Sequence, residues 1–232
     1  MNRDLVTRVV SAIALSATAG AFLTACSPQP AATATTAADS AATAAAAVAA
    51  TAAKAGPSAR PFAAGAKAPT TSSPLIVTST TFTMGGALPK STEFKGCGGG
   101  NISPQLSWSG APPATKSFVV TLFDPDAPTT TGFWHWVVFN IPAKVQSLPA
   151  GAGSKPSPVA KSLSGYTDFG FSHYGGPCPP GGDPPHHYLF TVFALDVPAL
   201  EGVSAKSTAA SVMFTIRGHV LAAGAIEGTF AR

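Results

Sequence analysis

The sequence predicts a mainly β domain that follows a long N-terminal segment lacking the residues for a core. Three observations carry this prediction. Ser117 to Phe123, Phe133 to Ile141 and Tyr188 to Asp196 are apolar runs rich in β-branched and aromatic residues, the composition of buried strands. The segments between them are dense in Gly and Pro, which punctuate rather than extend regular structure. Only Ser207 to Ala222 carries a helical stripe, through Val212, Met213, Ile216 and Val220.

Composition sets the boundary. From Ala31 to Ala59, 17 of 29 residues are Ala and Val48 is the only larger aliphatic. Apart from Phe22 and Phe62, every aromatic residue lies at or beyond Phe82. One folded domain over Pro74 to Arg232 is expected, long enough to bury most of its apolar surface without staples. The formal charge of +4 belongs mostly to the N-terminal part: within the domain nine Lys/Arg face eight Asp/Glu. No basic stripe stands out, so nucleic-acid binding is set aside.

Along the chain, residues 1–25 have the pattern of a secretory signal: Arg3 and Arg8, an apolar run from Val9, then small residues. A transmembrane anchor is the rival, but the run is interrupted by Ser, Thr and Gly and is marginal for spanning. Leu23-Thr24-Ala25-Cys26 resembles the bacterial lipobox, which implies lipidation at Cys26 and a chain exported to the bacterial envelope and anchored there through its N-terminal lipid. Residues 26–73 are Ala, Thr, Pro and Ser with scattered charge, too poor in large apolar groups to offset the entropy of folding. A disordered tether, or an inert spacer, is expected there.

Within the domain, Leu75 to Phe82 reads as a first strand. A loop follows with the run Gly96-Cys97-Gly98-Gly99-Gly100; no helical pattern comes after it, so a turn is preferred to a phosphate cradle. Leu106 to Trp108 is a short strand. Ser117 to Phe123 is almost wholly apolar, like a strand covered on both faces, and ends at Asp124. On Phe133 to Ile141, alternation puts Trp134, Trp136 and Val138 on one face and His135, Val137, Phe139 and Ile141 on the other. Pro142 to Gly165 reads as a long surface excursion. Asp168-Phe169-Gly170 looks like a kinase metal-binding tripeptide, but no kinase catalytic loop accompanies it, so the match is taken as chance. Ser207 or Thr208 can cap the helix and Gly224 can end it, with a last strand over Ala225 to Phe230.

If Cys26 carries lipid, Cys97 and Cys178 remain, an even number in an exported domain. A disulfide between them would close a loop worth roughly 4.5 kcal/mol of chain entropy. Two buried thiols or a metal site are the alternatives.

Two stretches gather the polar groups. Asp124 to Ile141 (DPDAPTTTGFWHWVVFNI) joins a turn bearing Asp124 and Asp126 to a strand bearing His135. Gly176 to Asp196 (GPCPPGGDPPHHYLFTVFALD) joins a Gly/Pro loop to a strand opened by His186, His187 and Tyr188. These stretches resemble the two signatures of the phosphatidylethanolamine-binding protein family. Asn101-Ile102-Ser103-Pro104, Leu106-Ser107-Trp108, Lys116-Ser117-Phe118 and Thr167-Asp168-Phe169-Gly170 resemble the flanks of its bacterial, Raf-kinase-inhibitor-like branch. The resemblance covers Leu75 to Arg232.

The resemblance implies a large central antiparallel sheet packed on a smaller sheet, with few helices. It also implies a small pocket for an anion or a phospholipid head group, using Asp124, Asp126, His135, Gly176, Pro177, His186 and Tyr188. His187 stands where many relatives have Arg and is left outside. Chemically, the carboxylates would favour protonated imidazoles, which with the tyrosine hydroxyl and loop N–H groups meet phosphate oxygens.

A non-catalytic binding protein is therefore expected, with no cofactor. The alternatives are a kinase- or protease-inhibitor-like interaction module, for which no inhibitory loop is recognisable, and a hydrolase using Asp and His as acid and base. No Gly-x-Ser-x-Gly elbow supports the hydrolase. A metal site from His135, His186, His187 and an aspartate lacks the usual zinc spacing.

Overall fold

The computed structural model describes residues 74–154 and 158–232. The expected signal segment, lipidation at Cys26 and tether lie outside the described residues.

The chain builds two sheets. Strands β1 (Ile76–Thr78), β3 (Leu106–Ser109) and β6 (Ser147–Leu148) make a three-stranded sheet in the order β1-β3-β6. The larger sheet contains β2 (Gly86–Ala87), β4 (Ser117–Asp124), β5 (Phe133–Pro142), β7 (Leu163–Ser164), β8 (His186–Leu195) and β9 (Val220–Phe230), in the order β2-β9-β8-β4-β5-β7. All its pairings are antiparallel except the short parallel contact of β2 with β9. Among the described residues the one α-helix, α1 (Ala209–Thr215), lies near the C-terminus and is capped by the Thr208 side chain accepting the Ser211 N–H. The expected mainly β, two-sheet architecture is the one observed.

The large sheet is apolar on both faces, which is why its central strands read as continuous apolar runs. One face, through Phe118, Val120, Leu122, Trp136, Val138 and Phe190, packs on Val77, Leu106, Trp108 and Leu148 of the small sheet. The other, through Val119, Val137, Phe139, Phe193 and Leu195, packs on Val212 and Ile216 beneath α1. Fully burying each of these large side chains is worth about 1.5–3 kcal/mol.

Strict alternation along β5 fails at two places. The register against β4 passes from Leu122↔Trp136 directly to Phe123↔Trp134, so His135 is a bulge residue. A second shift leaves Asn140 with φ 58° and puts Ile141 in the core beneath the small sheet rather than with Phe139.

The expected helix is also shorter than its stripe. Ser207 to Ala222 forms α1 and one 3-10 turn, Ile216–Gly218, after which Val220 begins β9. Gly224 does not end a helix: it lies inside β9, where a Cβ would strike the Leu75 carbonyl oxygen. The Pro142 to Gly165 excursion contributes the two-residue strands β6 and β7.

Candidate functional site

Strand β4 ends in Asp124, which is 2% exposed. Its Oδ1 accepts the N–H groups of Asp126 and Ala127, at 2.9 and 3.0 Å, so the Asp-Pro-Asp sequence turns on this carboxylate. Its Oδ2 is left facing inward. Strand β8 runs antiparallel to β4 and begins at His186, beside the end of β4. His186 Nδ1 donates to Asp124 Oδ2 at 2.8 Å, joining side chains 62 residues apart.

His135 arrives from β5 on the other side. Its bulge takes the imidazole out of the expected alternation and sets it edge-on to Tyr188, with ring centroids 5.3 Å apart. Nδ1 donates to the carbonyls of Gly175 and Gly176, at 2.9 and 3.1 Å, which fixes the hydrogen on that nitrogen. Nε2 therefore faces Asp124 Oδ2 across 3.9 Å. Burial holds the His135 pKa below its ordinary 6.5, outweighing the opposite pull of the glycine carbonyls and Asp124. Desolvation thus opposes the protonation of His135 that the neighbouring carboxylates are expected to favour.

Gly176 and Pro177 stand behind His135. A Cβ on Gly176 would overlap the Thr92 carbonyl oxygen, so only Gly lets this loop close on the 90–97 segment. The Gly176 N–H donates to Asn101 Oδ1 at 2.8 Å, and Pro177 O accepts the Phe94 N–H at 2.9 Å. A disulfide between Cys97 and Cys178, Cα atoms 6.0 Å apart, ties the same two segments. Of the readings open for these cysteines, the structure has the disulfide.

Asp124, His135 and His186 form the polar floor of a cavity of about 280 Å³. Its walls are Phe133, Phe169, Ala127, Pro128, Thr129 and the run Cys178-Pro179-Pro180. Phe169 is held there because Asp168 pairs with Trp134 through both its N–H and its carboxylate. Its ring meets Phe133 edge-on, with centroids 4.8 Å apart. Among the described residues, no group of three or more His, Cys, Asp or Glu side chains is arranged to hold a metal ion.

The remaining predicted residues lie elsewhere. The Tyr188 ring is in the core beneath His135 and His186, and its buried hydroxyl lies near the Asp124 carboxylate and the Cys178 backbone without a well-formed hydrogen bond to either. Burial, then the Asp124 charge, pushes its pKa far above 10, so it stays neutral. Asp126 points away from the cavity and takes His187 instead, with Nδ1 at 2.6 Å and the backbone N–H at 2.7 Å. The Phe133 and Phe169 walls are absent from the residues predicted from sequence. The available signal was the Thr167-Asp168-Phe169-Gly170 flank, whose Phe comes to the pocket through the Asp168 pairing.

The pattern defining the phosphatidylethanolamine-binding protein family matches residues 78–231, most of the chain and all of the elements just described except the start of β1. The chain belongs to that family. It is 46% identical over 158 residues to the UPF0098 protein YbcL of Escherichia coli, covering 66% of this chain and 86% of that one. It is 40% identical over 169 residues to a UPF0098 protein of Aquifex aeolicus, covering 68% and 97%. The crystal structure of E. coli YbcL, described as a new member of the mammalian family, superposes with a TM-score of 0.65 at 42% identity, over 69% of this chain and 99% of that one. A homologue from Chlamydia trachomatis gives 0.59 at 32% identity, over 68% and 98%. Fold and family membership thus agree across sequence and structure.

Proposed function

We propose that this family member is a non-catalytic binding protein of the Raf-kinase-inhibitor-like branch whose pocket holds a small anion or phosphorylated head group. The observation that carries the reading is the convergence of Asp124, His135 and His186, from three different strands, on the floor of one apolar-walled cavity. A volume of about 280 Å³ suits a head group rather than a whole lipid. Asp124 holds the His186 ring and the adjoining turn in place, while His135 is held from behind by two carbonyls, so both imidazoles are preorganised. A nucleophilic role for Cys178 is disfavoured by its bond to Cys97. The N-terminal pattern extends the reading: residues 1–25 direct export, lipid on Cys26 anchors the chain at the bacterial envelope, and 26–73 tether the domain.

Calorimetric titration with inorganic phosphate and with phosphoethanolamine tests the pocket. Binding that weakens at least tenfold in His186→Ala and Asp124→Ala is expected. Affinity unchanged in both variants would overturn the assignment. Metabolic labelling with a fatty acid tests the anchor: label present in the full chain and lost in Cys26→Ser is expected, and no label on either would remove it.

A further inference from the structure

Anion sites in proteins are ordinarily lined by Lys or Arg, whose charge does not depend on the ligand. Among the described residues lining this cavity there is neither. Arg232, near its rim, lies 3.4 Å from the Pro179 carbonyl and pairs at 3.7 Å with Glu93 Oε1, a buried carboxylate that Lys90 also approaches at 3.8 Å. His187 is matched by Asp126 in the same way.

His135 has spent its Nδ1 hydrogen on Gly175 and Gly176, so the neutral ring presents the Nε2 lone pair. His186 has spent its Nδ1 hydrogen on Asp124, and its Nε2 stands 3.6 Å from Asp183 Oδ2, beyond a good hydrogen bond. The charged and titratable groups around His135 are Asp124 at the end of β4, Asp168 on the loop that carries Phe169, and His186 and Tyr188 on β8. Tyr188 among them stays neutral, its hydroxyl being pushed far up by burial. An anion made only of acceptor oxygens would meet the His135 Nε2 lone pair beside the Asp124 carboxyl group.

We propose that the pocket takes its anion together with one proton, and so selects acids that keep an O–H, such as the monoanion of a phosphate monoester, over permanent dianions. This rests on the anion reading above and adds the ligand's protonation state to it. The proton belongs between the ligand oxygen and His135 Nε2. Either the ligand brings it as a hydroxyl that donates to the Nε2 lone pair, or His135 takes it from solvent and donates to the ligand. Both routes give the same complex, but the proton balance differs: a ligand that keeps its O–H carries the proton in with it, whereas an anion without one requires a proton from solvent on His135. The burial that disfavours a charged His135 is what opposes the added proton, and the arriving negative charge offsets it.

Sulfate and inorganic phosphate separate this from ordinary anion binding, because sulfate carries no proton near neutral pH while phosphate does. Calorimetry of the full chain with each anion, from about pH 5.5 to about pH 8 in buffers of different ionisation enthalpy, reads the proton count directly. Sulfate affinity is expected to fall about tenfold per pH unit above about pH 6.5, with uptake of close to one proton. Near neutral pH phosphate is expected to bind about tenfold or more tightly than sulfate. In His135→Gln the pH dependence of sulfate binding should vanish.

If that variant fails to fold, nitrogen NMR of the unaltered protein still decides: sulfate at neutral pH should convert His135 Nε2 from a bare to a protonated nitrogen. Sulfate bound equally well at both ends of the range, without proton uptake, would overturn this inference and leave the anion reading standing. No binding of either anion at any pH would overturn both.

Discussion

Two histidines of this domain carry opposite linkages to pH, and the difference lies in their immediate neighbours. His187 is raised above its ordinary 6.5, first by its hydrogen bond to Asp126 and against a smaller burial effect. Asp126 is lowered below 3.8 because the His187 backbone N–H and imidazole outweigh the burial that would raise it. The pair therefore stabilises the fold fully above pH 3.8 and below pH 6.5; it fades as pH rises through the raised His187 value or falls through the lowered Asp126 value. With side chains 45% and 41% exposed, solvent screening keeps its worth below about 1 kcal/mol. His135 behaves in reverse. Its folded value lies below 6.5, so the unfolded chain binds the proton first and stability falls as pH drops through that range. Proton NMR of the ring resonances is expected to show His187 titrating above and His135 below the free-imidazole value, and Asp126→Asn should bring His187 back towards it while leaving His135 in place.

At the scale of the elements, the site depends on two close approaches. The 176–180 loop closes on the 90–97 segment only because Gly176 has no Cβ. Gly176→Ala must push that loop off Thr92 and with it the carbonyl that holds His135 Nδ1. A loss of about 2–3 kcal/mol in denaturant unfolding is expected, together with weakened phosphate binding. Thr208→Ala, by contrast, removes only the α1 cap and should cost about 1 kcal/mol without touching the pocket. These elements were unequally legible in the sequence. The three central strands stand out because they are buried on both faces, and each is found within one or two residues of its predicted limits at either end. The helix does not, because the Ala-rich residues after Val220 have the propensity to continue it. Pairing of β9 along the whole of β8 overrides that propensity, a gain that no local window contains. The His135 bulge is hidden for the same reason: it is a property of the β4–β5 register, while the residues of β5 taken alone alternate regularly.

For the molecule as a whole, the pocket is a junction of distant segments, and that decides what a sequence can say of it. Asp124, His135 and His186 are legible as its floor because the two stretches that carry them resemble the signatures of the family, and the resemblance implies a shared pocket. Phe169 and the Asp126–His187 pair are not, since their places follow from how loops and strands of remote parts of the chain align. The covalent counterpart of that alignment is the Cys97–Cys178 disulfide, which spans 81 positions and joins the segment carrying Thr92 and Phe94 to the loop that walls the cavity. Its entropic contribution acts on the unfolded chain and is expected to be about 2–5 kcal/mol. Its effect on the pocket is separate, because Cys178, Pro179 and Pro180 are wall residues while the sheets beneath are held by their own apolar faces. Reduction by a dithiol, or Cys97→Ser with Cys178→Ser, should therefore lower the melting temperature by roughly 5–15 °C yet leave a cooperative transition and the β spectrum intact. Phosphate affinity should fall more than the change in the fraction folded accounts for, as the wall loosens over a standing floor. Circular dichroism melting and calorimetry on the same reduced sample distinguish the two effects, and a reduced protein that binds phosphate as tightly as the oxidised one would remove the disulfide from the pocket's construction.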